Sequence, residues 1–403
     1  MKKRAVVIGA FAGLVANAAS AQSSVTLYGI IDTGVGYQNN VTTLGTKGPG
    51  HSKVQMISAV WAGSRFGLKG SEDLGGGTKT IFTLESGFNP TTGAQQYTNA
   101  MFGRQAFVGM TNPTYGTLTL GRQYTAYYQL LSTYSPTTWL TGYTGAHPGD
   151  IDSLDTLYRG NNSIVYVSPS YSGLTFAGSY SMAGVPGSIN QGSTWSAALQ
   201  YLHGPFGIAA GFQRINNSTP GGGAWGADST ANTAGEPGVS AINFGYRNAQ
   251  AQQRVAVTGG WQITQTVDIS ASYSNVQYIP GINSGYHDLA IFNTVGATVH
   301  WKPTPVWDLA GGYAFTAATK ANGISQPARY NQFSLSQYYS LSKRTGVYAV
   351  EGYQHASGKT FNVDSNGVGS IINAVASVGD GMNGTPSTTG NQVVVGVAMI
   401  HRF

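Results

Sequence analysis

The chain has 403 residues, with 57 Gly, 15 Pro and no Cys; 11% are aromatic and only 9% charged, against about 25% charged in an average soluble domain. So few charges argue against a cytosolic enzyme surface, while 24 Tyr, 15 Phe, 7 Trp and 41% hydrophobic residues are too many for a disordered polymer. Zero cysteine removes disulfide scaffolds, cysteine zinc sites, iron–sulfur clusters and cysteine nucleophiles, and glycines without a three-residue period remove collagen.

At the N-terminus Lys2, Lys3 and Arg4 precede an uncharged run from Ala5 to Ala16, which closes on Ala19-Ser20-Ala21. This order predicts a cleaved secretory signal peptide over 1–21 and a single domain over 22–403. A membrane anchor would need a longer apolar run. Loss of the three basic residues takes the net charge from +6 to +3. No Lys/Arg run follows residue 4, so no nucleic-acid partner is expected.

Beyond the signal, no apolar stretch reaches the roughly 18 residues of a helical membrane span. The pattern alternates instead. Val25, Leu27, Gly29, Ile31, Thr33, Val35 and Tyr37 fall on one side of a period of 2, with Thr26, Tyr28, Ile30, Asp32, Gly34 and Gly36 on the other. The period returns in Phe66 and Leu68 against Arg65, Gly67 and Lys69, in Phe82, Leu84 and Ser86 against Ile81, Thr83 and Glu85, and in Val393, Val395, Val397 and Met399. Segments of about ten residues with one apolar and one polar face predict a transmembrane β-barrel.

Tight turns at 72–77, 111–114, 168–173, 203–206, 302–305 and 342–345 alternate with long polar loops. The loops cover roughly 38–60, 89–100, 126–159, 183–193, 215–245, 280–288, 319–329 and 357–391. These breaks leave about 16 strands, and at about 11 residues each they use on the order of 180 residues. The predicted fold is therefore all-β: a 16-stranded antiparallel transmembrane barrel, wide enough for an aqueous channel. Closure is required because hydrocarbon satisfies no unpaired strand edge. A secreted soluble β-protein such as an adhesin is the rival reading, but it predicts more Lys, Glu and Arg and no alternation of loop length.

Arg65 and Lys69 stand opposite Phe66 and Leu68. On the lipid side each would cost roughly 2–4 kcal/mol, so the lumen is their expected place. Arg104 has the parity of Ala106 and Val108, and Arg122 that of Leu118 and Leu120; alternation leaves both open unless a bulge intervenes at Arg122. The segment from Tyr127 to Tyr158 carries Tyr128, Tyr134, Trp139 and Tyr143, then Asp150, Asp152 and Asp155, and is too long and aromatic for a solvated connector. Folded inside a barrel, it would set its acids against the arginines and create a transverse field. The alternative for these aspartates is turn capping or binding of a divalent ion.

No enzyme chemistry emerges. The seven histidines are scattered, Gly75-Gly76-Gly77-Thr78-Lys79-Thr80 is better read as a tight turn than as a phosphate loop, and Glu72 and Asp73 have no partner base. No cofactor or metal is expected. A barrel-type outer-membrane hydrolase would need a Ser/His/acid set that the sequence does not place.

Three blocks then carry a resemblance. Gly63-Ser64-Arg65-Phe66-Gly67-Leu68-Lys69-Gly70-Ser71-Glu72-Asp73-Leu74-Gly75-Gly76-Gly77 resembles the second strand and first turn of the general diffusion porins of β-proteobacteria, of the Burkholderia, Bordetella, Comamonas and Neisseria type. Phe102-Gly103-Arg104-Gln105-Ala106-Phe107-Val108-Gly109 through Gly121-Arg122-Gln123 is similar to the same family, as are His147-Pro148-Gly149-Asp150 with Arg159-Gly160-Asn161-Asn162, and the terminal His401-Arg402-Phe403. The match is strong over 22–180, looser in the middle and firm at the C-terminus. The resemblance implies an outer-membrane homotrimer amid lipid and lipopolysaccharide. It also implies a third long loop folded into the lumen and passive diffusion of small ions and hydrophilic solutes. A constriction ladder of Arg65, Arg104 and Arg159, with Lys69 and Arg122 as neighbours, would give anion preference, and Phe403 would end the strand read by the barrel-insertion machinery. Ala100 and Ile400 depart from the family, standing where relatives often carry basic residues.

Overall fold

A computed structural model describes residues 24–42, 49–155, 158–226, 228–230, 240–363, 368–380 and 386–403. The expected signal peptide over 1–21 lies outside them. The first strands are β1 (Ser24–Val41), β2 (His51–Ser58), β3 (Arg65–Gly75), β4 (Thr78–Gly87), β5 (Gln105–Asn112) and β6 (Gly116–Gln123). Short helices α1 (Ala126–Leu131) and α2 (Thr137–Leu140) follow, then β7 (Gly160–Val167), β8 (Leu174–Ser181), β9 (Thr194–His203) and β10 (Phe206–Asn216). The remainder comprises β11 (Ala251–Gln262), β12 (Val267–Ile279), β13 (Ala290–Thr304), β14 (Trp307–Ala318), β15 (Arg329–Ser340) and β16 (Thr345–Ser357). A small hairpin of β17 (Lys359–Val363) and β18 (Gly369–Asn373) precedes β19 (Asn391–Arg402).

All pairings in the main sheet are antiparallel, and β1 meets β19 from Ile30↔Arg402 to Gln38↔Val394. β3 pairs with the lower half of β1 and β2 with its upper half, so β2 and β3 are two pieces of one wall strand and the closed ring has 16 strands. The expected loop at 38–60 is therefore shorter: Val54 and Met56 face outward within β2, a period too brief to see beside its Gly- and Thr-rich flanks. The loop expected at 357–391 likewise contains the β17–β18 hairpin. No helix among the described residues is long and apolar enough to cross a membrane; strands are the crossing elements.

Alternation assigns the two faces. Leu27, Phe66, Val108, Leu199, Val255, Val299, Leu335 and Val397 remain exposed on the outside, the apolar belt of a lipid-facing barrel. The inner face carries Ser196, Gln213, Thr258, Ser274, Gln332 and Gln354, all buried, because the loop between β6 and β7 (hereafter L3) lies against it. Tyr127 and Leu131 of α1 pack on Ala177, Ala198, Ala209 and Ala256, where four small side chains on neighbouring strands make a shallow seat. Burial of a Leu such as Leu131 contributes about 1.5–3 kcal/mol.

Between β2 and β3 the wall strand breaks and turns inward. The Asp32 carboxylate accepts N–H bonds from Trp61 at 2.7 Å and Ala62 at 2.8 Å, and also takes the hydroxyl of Tyr348. Val60 packs with Ile57, Tyr143, Val350 and Val394. This inturn brings Ala59 to Gly63 to the edge of the central cavity. Ile400 is fully buried in the same cluster, so its departure from the family pattern falls in packing and away from that cavity.

Candidate functional site

A cavity of about 280 Å³ lies between one wall and L3. Arg65, Arg104 and Arg159 line it together, with Tyr124, Tyr128, Asp155 and Asp380. Arg65 opens β3 on the inner face, as its parity requires; its Nε donates to Gly63 O at 2.8 Å, and Nη1 is 4.0 Å from Glu85 Oε2. Arg104 immediately precedes β5, so strand parity does not govern it, and its side chain turns inward. Its Nε meets Glu85 Oε1 at 2.8 Å, Nη1 donates to Gln96 Oε1 at 3.1 Å and Nη2 to the Tyr124 hydroxyl at 3.1 Å. Glu85, inward on β4, also accepts from Tyr28 at 2.9 Å. Arg159, 2% exposed, donates to the Tyr97 hydroxyl at 2.7 Å and to Tyr124 at 2.5 Å.

The facing wall is L3, held by the polar inner surface. Strand side chains donate to its carbonyls: Gln200 to Leu130 O at 3.0 Å, Thr258 to Leu131 O at 3.0 Å, Ser334 to Thr144 O at 2.6 Å and Gln332 to Ala146 O at 2.7 Å. A loop with no sheet partner of its own thus finds partners for backbone groups that enclosure would otherwise leave unsatisfied. Trp139 stacks on His300 with centroids 3.5 Å apart. A second loop joins it: Asp380, between β18 and β19, donates its N–H to Gly142 O at 3.0 Å and lines the cavity beside Asp155.

The other expected positions fall elsewhere. Lys69 shares the inner face but is exposed, its ammonium 5.3 Å from the Tyr28 ring centroid, and it does not line the cavity. At Arg122 a bulge does intervene: the register with β7 shifts between Gly121 and Gln123, and Gly121 has φ +135°, which a side chain rarely permits. Arg122 then binds Gly103 O at 2.7 Å and Asn161 Oδ1 at 2.5 Å behind Tyr97, away from the cavity.

Asp150 and Asp155 sit together, the Asp155 N–H donating to Asp150 Oδ1 at 2.9 Å. Burial pushes both carboxyls above the usual range, and mutual repulsion raises Asp150 further. Asp152 corrects the expectation that all three acids face the arginines. It is enclosed, accepting from Ser274 Oγ at 2.7 Å, with Oδ2 at 2.6 Å from His147 Nδ1. Burial works to raise its pKa, but the His147 charge and these bonds outweigh it and hold it low.

His147 Nε2 lies 3.1 Å from Ser272 Oγ, which reproduces the acid–imidazole–hydroxyl order of a hydrolase. The His147 and Asp152 side chains have 0% exposure, so the set pins L3 to β12. Among the described residues no group of His, Asp and Glu is placed to hold a metal ion.

Sequence reasoning did not assign Tyr97, Tyr124, Asp380 or Glu85 to the site. Glu85 alone had a signal, as a charged residue on a strand's polar face. Phe403 closes the seam: its N–H donates to Gly29 O at 3.0 Å, and Gly29 N–H donates to its carbonyl at the same distance.

A closed, apolar-belted ring around a polar lumen narrowed by its own loops defines a transmembrane diffusion channel. Residues 5–359 match the family described as Gram-negative porin, and the chain belongs to that family. An outer membrane porin protein of Bordetella pertussis is 31% identical over 374 residues, covering 88% of this chain and 94% of the relative. Outer membrane porin protein 32 of Delftia acidovorans is 34% identical over 181 residues, covering 43% and 47%. The anion-selective porin from Comamonas acidovorans shares the fold, with a TM-score of 0.67 at 20% identity over 95% of this chain and 100% of the other. The protein is an outer-membrane porin for passive diffusion of small hydrophilic solutes and ions.

Proposed function

We propose that this porin prefers anions, selecting by the charge of its constriction with no catalysis or energy coupling, and that it works as a homotrimer in contact with lipopolysaccharide after delivery by the barrel-insertion machinery. The observation that carries the preference is the convergence of Arg65, Arg104 and Arg159 on one cavity. Three guanidinium groups face Asp155 and Asp380 with Glu85 behind, so full ionisation would balance the cluster. Burial raises the Asp155 carboxyl, so Asp155 holds its charge less firmly than the three guanidinium groups hold theirs, and the balance tips towards the positive wall. The preference is therefore modest and tunable. The anion selectivity named for the Comamonas structure points the same way.

Arg65 is the cleanest probe because Glu85 keeps its partner Arg104 when Arg65 is removed. Arg65→Ser is expected to move the reversal potential in a KCl gradient across a planar bilayer towards cation preference. An unmoved potential for Arg65→Ser and Arg159→Ser alike would refute the assignment.

A further inference from the structure

Arg104 and Arg159 approach from different loops, yet their guanidinium groups meet on one atom, the Tyr124 hydroxyl oxygen, at 3.1 and 2.5 Å. The Arg159 guanidinium also lies 4.3 Å from the Tyr124 ring centroid, and the ring stacks on Tyr128 at 4.8 Å. Tyr124 and Arg65 line the same cavity. A phenol oxygen that accepts two cationic donors binds both more strongly once its own proton has left, because charge-assisted hydrogen bonds strengthen when the acceptor is anionic.

We propose that Tyr124 is a specificity-determining residue of the channel: its phenolate cancels one charge of the arginine wall, so its ionisation sets the alkaline limit of anion preference. The proposal rests on the anion-preferring reading. The hydroxyl proton passes to water in the lumen, and no other bond changes. The charged and titratable groups around Tyr124 are Arg65 on β3, Glu85 on β4, Arg104 before β5, Tyr128, Asp155 and Arg159 in L3, and Asp380 before β19, with Tyr97 reached across Arg159. Burial would push the phenol up, but the charges of Arg159, Arg104 and Arg65 outweigh it and hold Tyr124 below the ordinary tyrosine range, with Glu85 opposing. Tyr128 moves the other way, raised by burial and by Tyr124 itself. Two stacked phenols driven apart in this manner mark a site whose charge is tuned by its surroundings.

The test compares the wild-type porin with Tyr124→Phe, both confirmed as folded by heat-modifiable migration. Reversal potentials in a KCl gradient are taken from neutral pH to about pH 10, where ordinary tyrosines titrate. Wild type should lose anion preference across this range while Tyr124→Phe keeps its neutral-pH value; parallel profiles would overturn the proposal. A wild-type-minus-variant ultraviolet difference titration reads the phenolate directly. The Tyr124 band should appear at lower pH than the bulk tyrosine change, and a band at or above it would overturn the proposal whatever the selectivity. An early band in a channel without neutral-pH anion preference would instead sink the anion-preferring reading and leave Tyr124 as the ionisable group.

Discussion

Arg104 and Glu85 show how a residue proposed to set selectivity can also be a structural one. Both side chains are almost fully enclosed, and their contact is 2.8 Å. Removing one partner of such a pair strands a buried charge, so Arg104→Ala should lower stability by about 3–5 kcal/mol. The double change Arg104→Gln with Glu85→Gln should lose less. Denaturant midpoints of the folded, heat-modifiable form read both. Acid pH acts through Asp150 and Asp155. With raised pKa values they neutralise while pH is still above the ordinary carboxylate range of about 4. Anion preference should therefore strengthen as pH falls from neutral, and Asp155→Asn should flatten that rise; an unchanged reversal potential in wild type would refute it. Arg65 was legible from parity alone. Arg104 was not, because alternation holds only within a strand and this residue stands outside one. Tyr124 left no trace because its proposed role depends on Arg104 and Arg159, 20 positions before it and 35 after it, and both stand outside the strands where alternation would have placed their side chains.

L3 is an element whose length and aromatic content announced a folded structure but whose anchors were visible only as anonymous Ser, Thr and Gln on alternating strands. Its attachments include α1 on the alanine seat, Trp139 on His300, Thr144 and Ala146 on β15, Ile151 on Arg254, and Asp152 with His147 on β12. Disrupting the last should loosen the loop and leave the ring intact. Asp152→Asn is expected to raise single-channel current noise and protease cleavage within 140–155 while folded migration persists. A channel as quiet as wild type would mean the other attachments suffice. The β2–β3 break was beyond the sequence, since Asp32 read as one more polar residue in an alternating strand and its partners Trp61, Ala62 and Tyr348 are set by the closed ring.

At the scale of the whole molecule, the strand count, the loop alternation and the belt followed from period and composition, because lipid on one side and water on the other impose the same rule on every wall strand. The seam imposes a further condition. A Cβ on Gly34 would lie 2.2 Å from Val397 O and 2.3 Å from Ala398 Cβ. Gly34→Val should prevent β1 and β19 from approaching, and the folded fraction on a heat-modifiability gel should drop sharply.

The Tyr348–Asp32 contact, 316 residues apart in sequence, also has a meaning in time. Loop-closure entropy and contact order both place such a bond late in folding. The Asp32 carboxylate that shapes the inturn at Trp61 therefore lacks one partner until the C-terminal strands arrive. The inturn and the ring would then mature together, so a chain stalled before its last strand would be an unfinished filter as well as an open sheet.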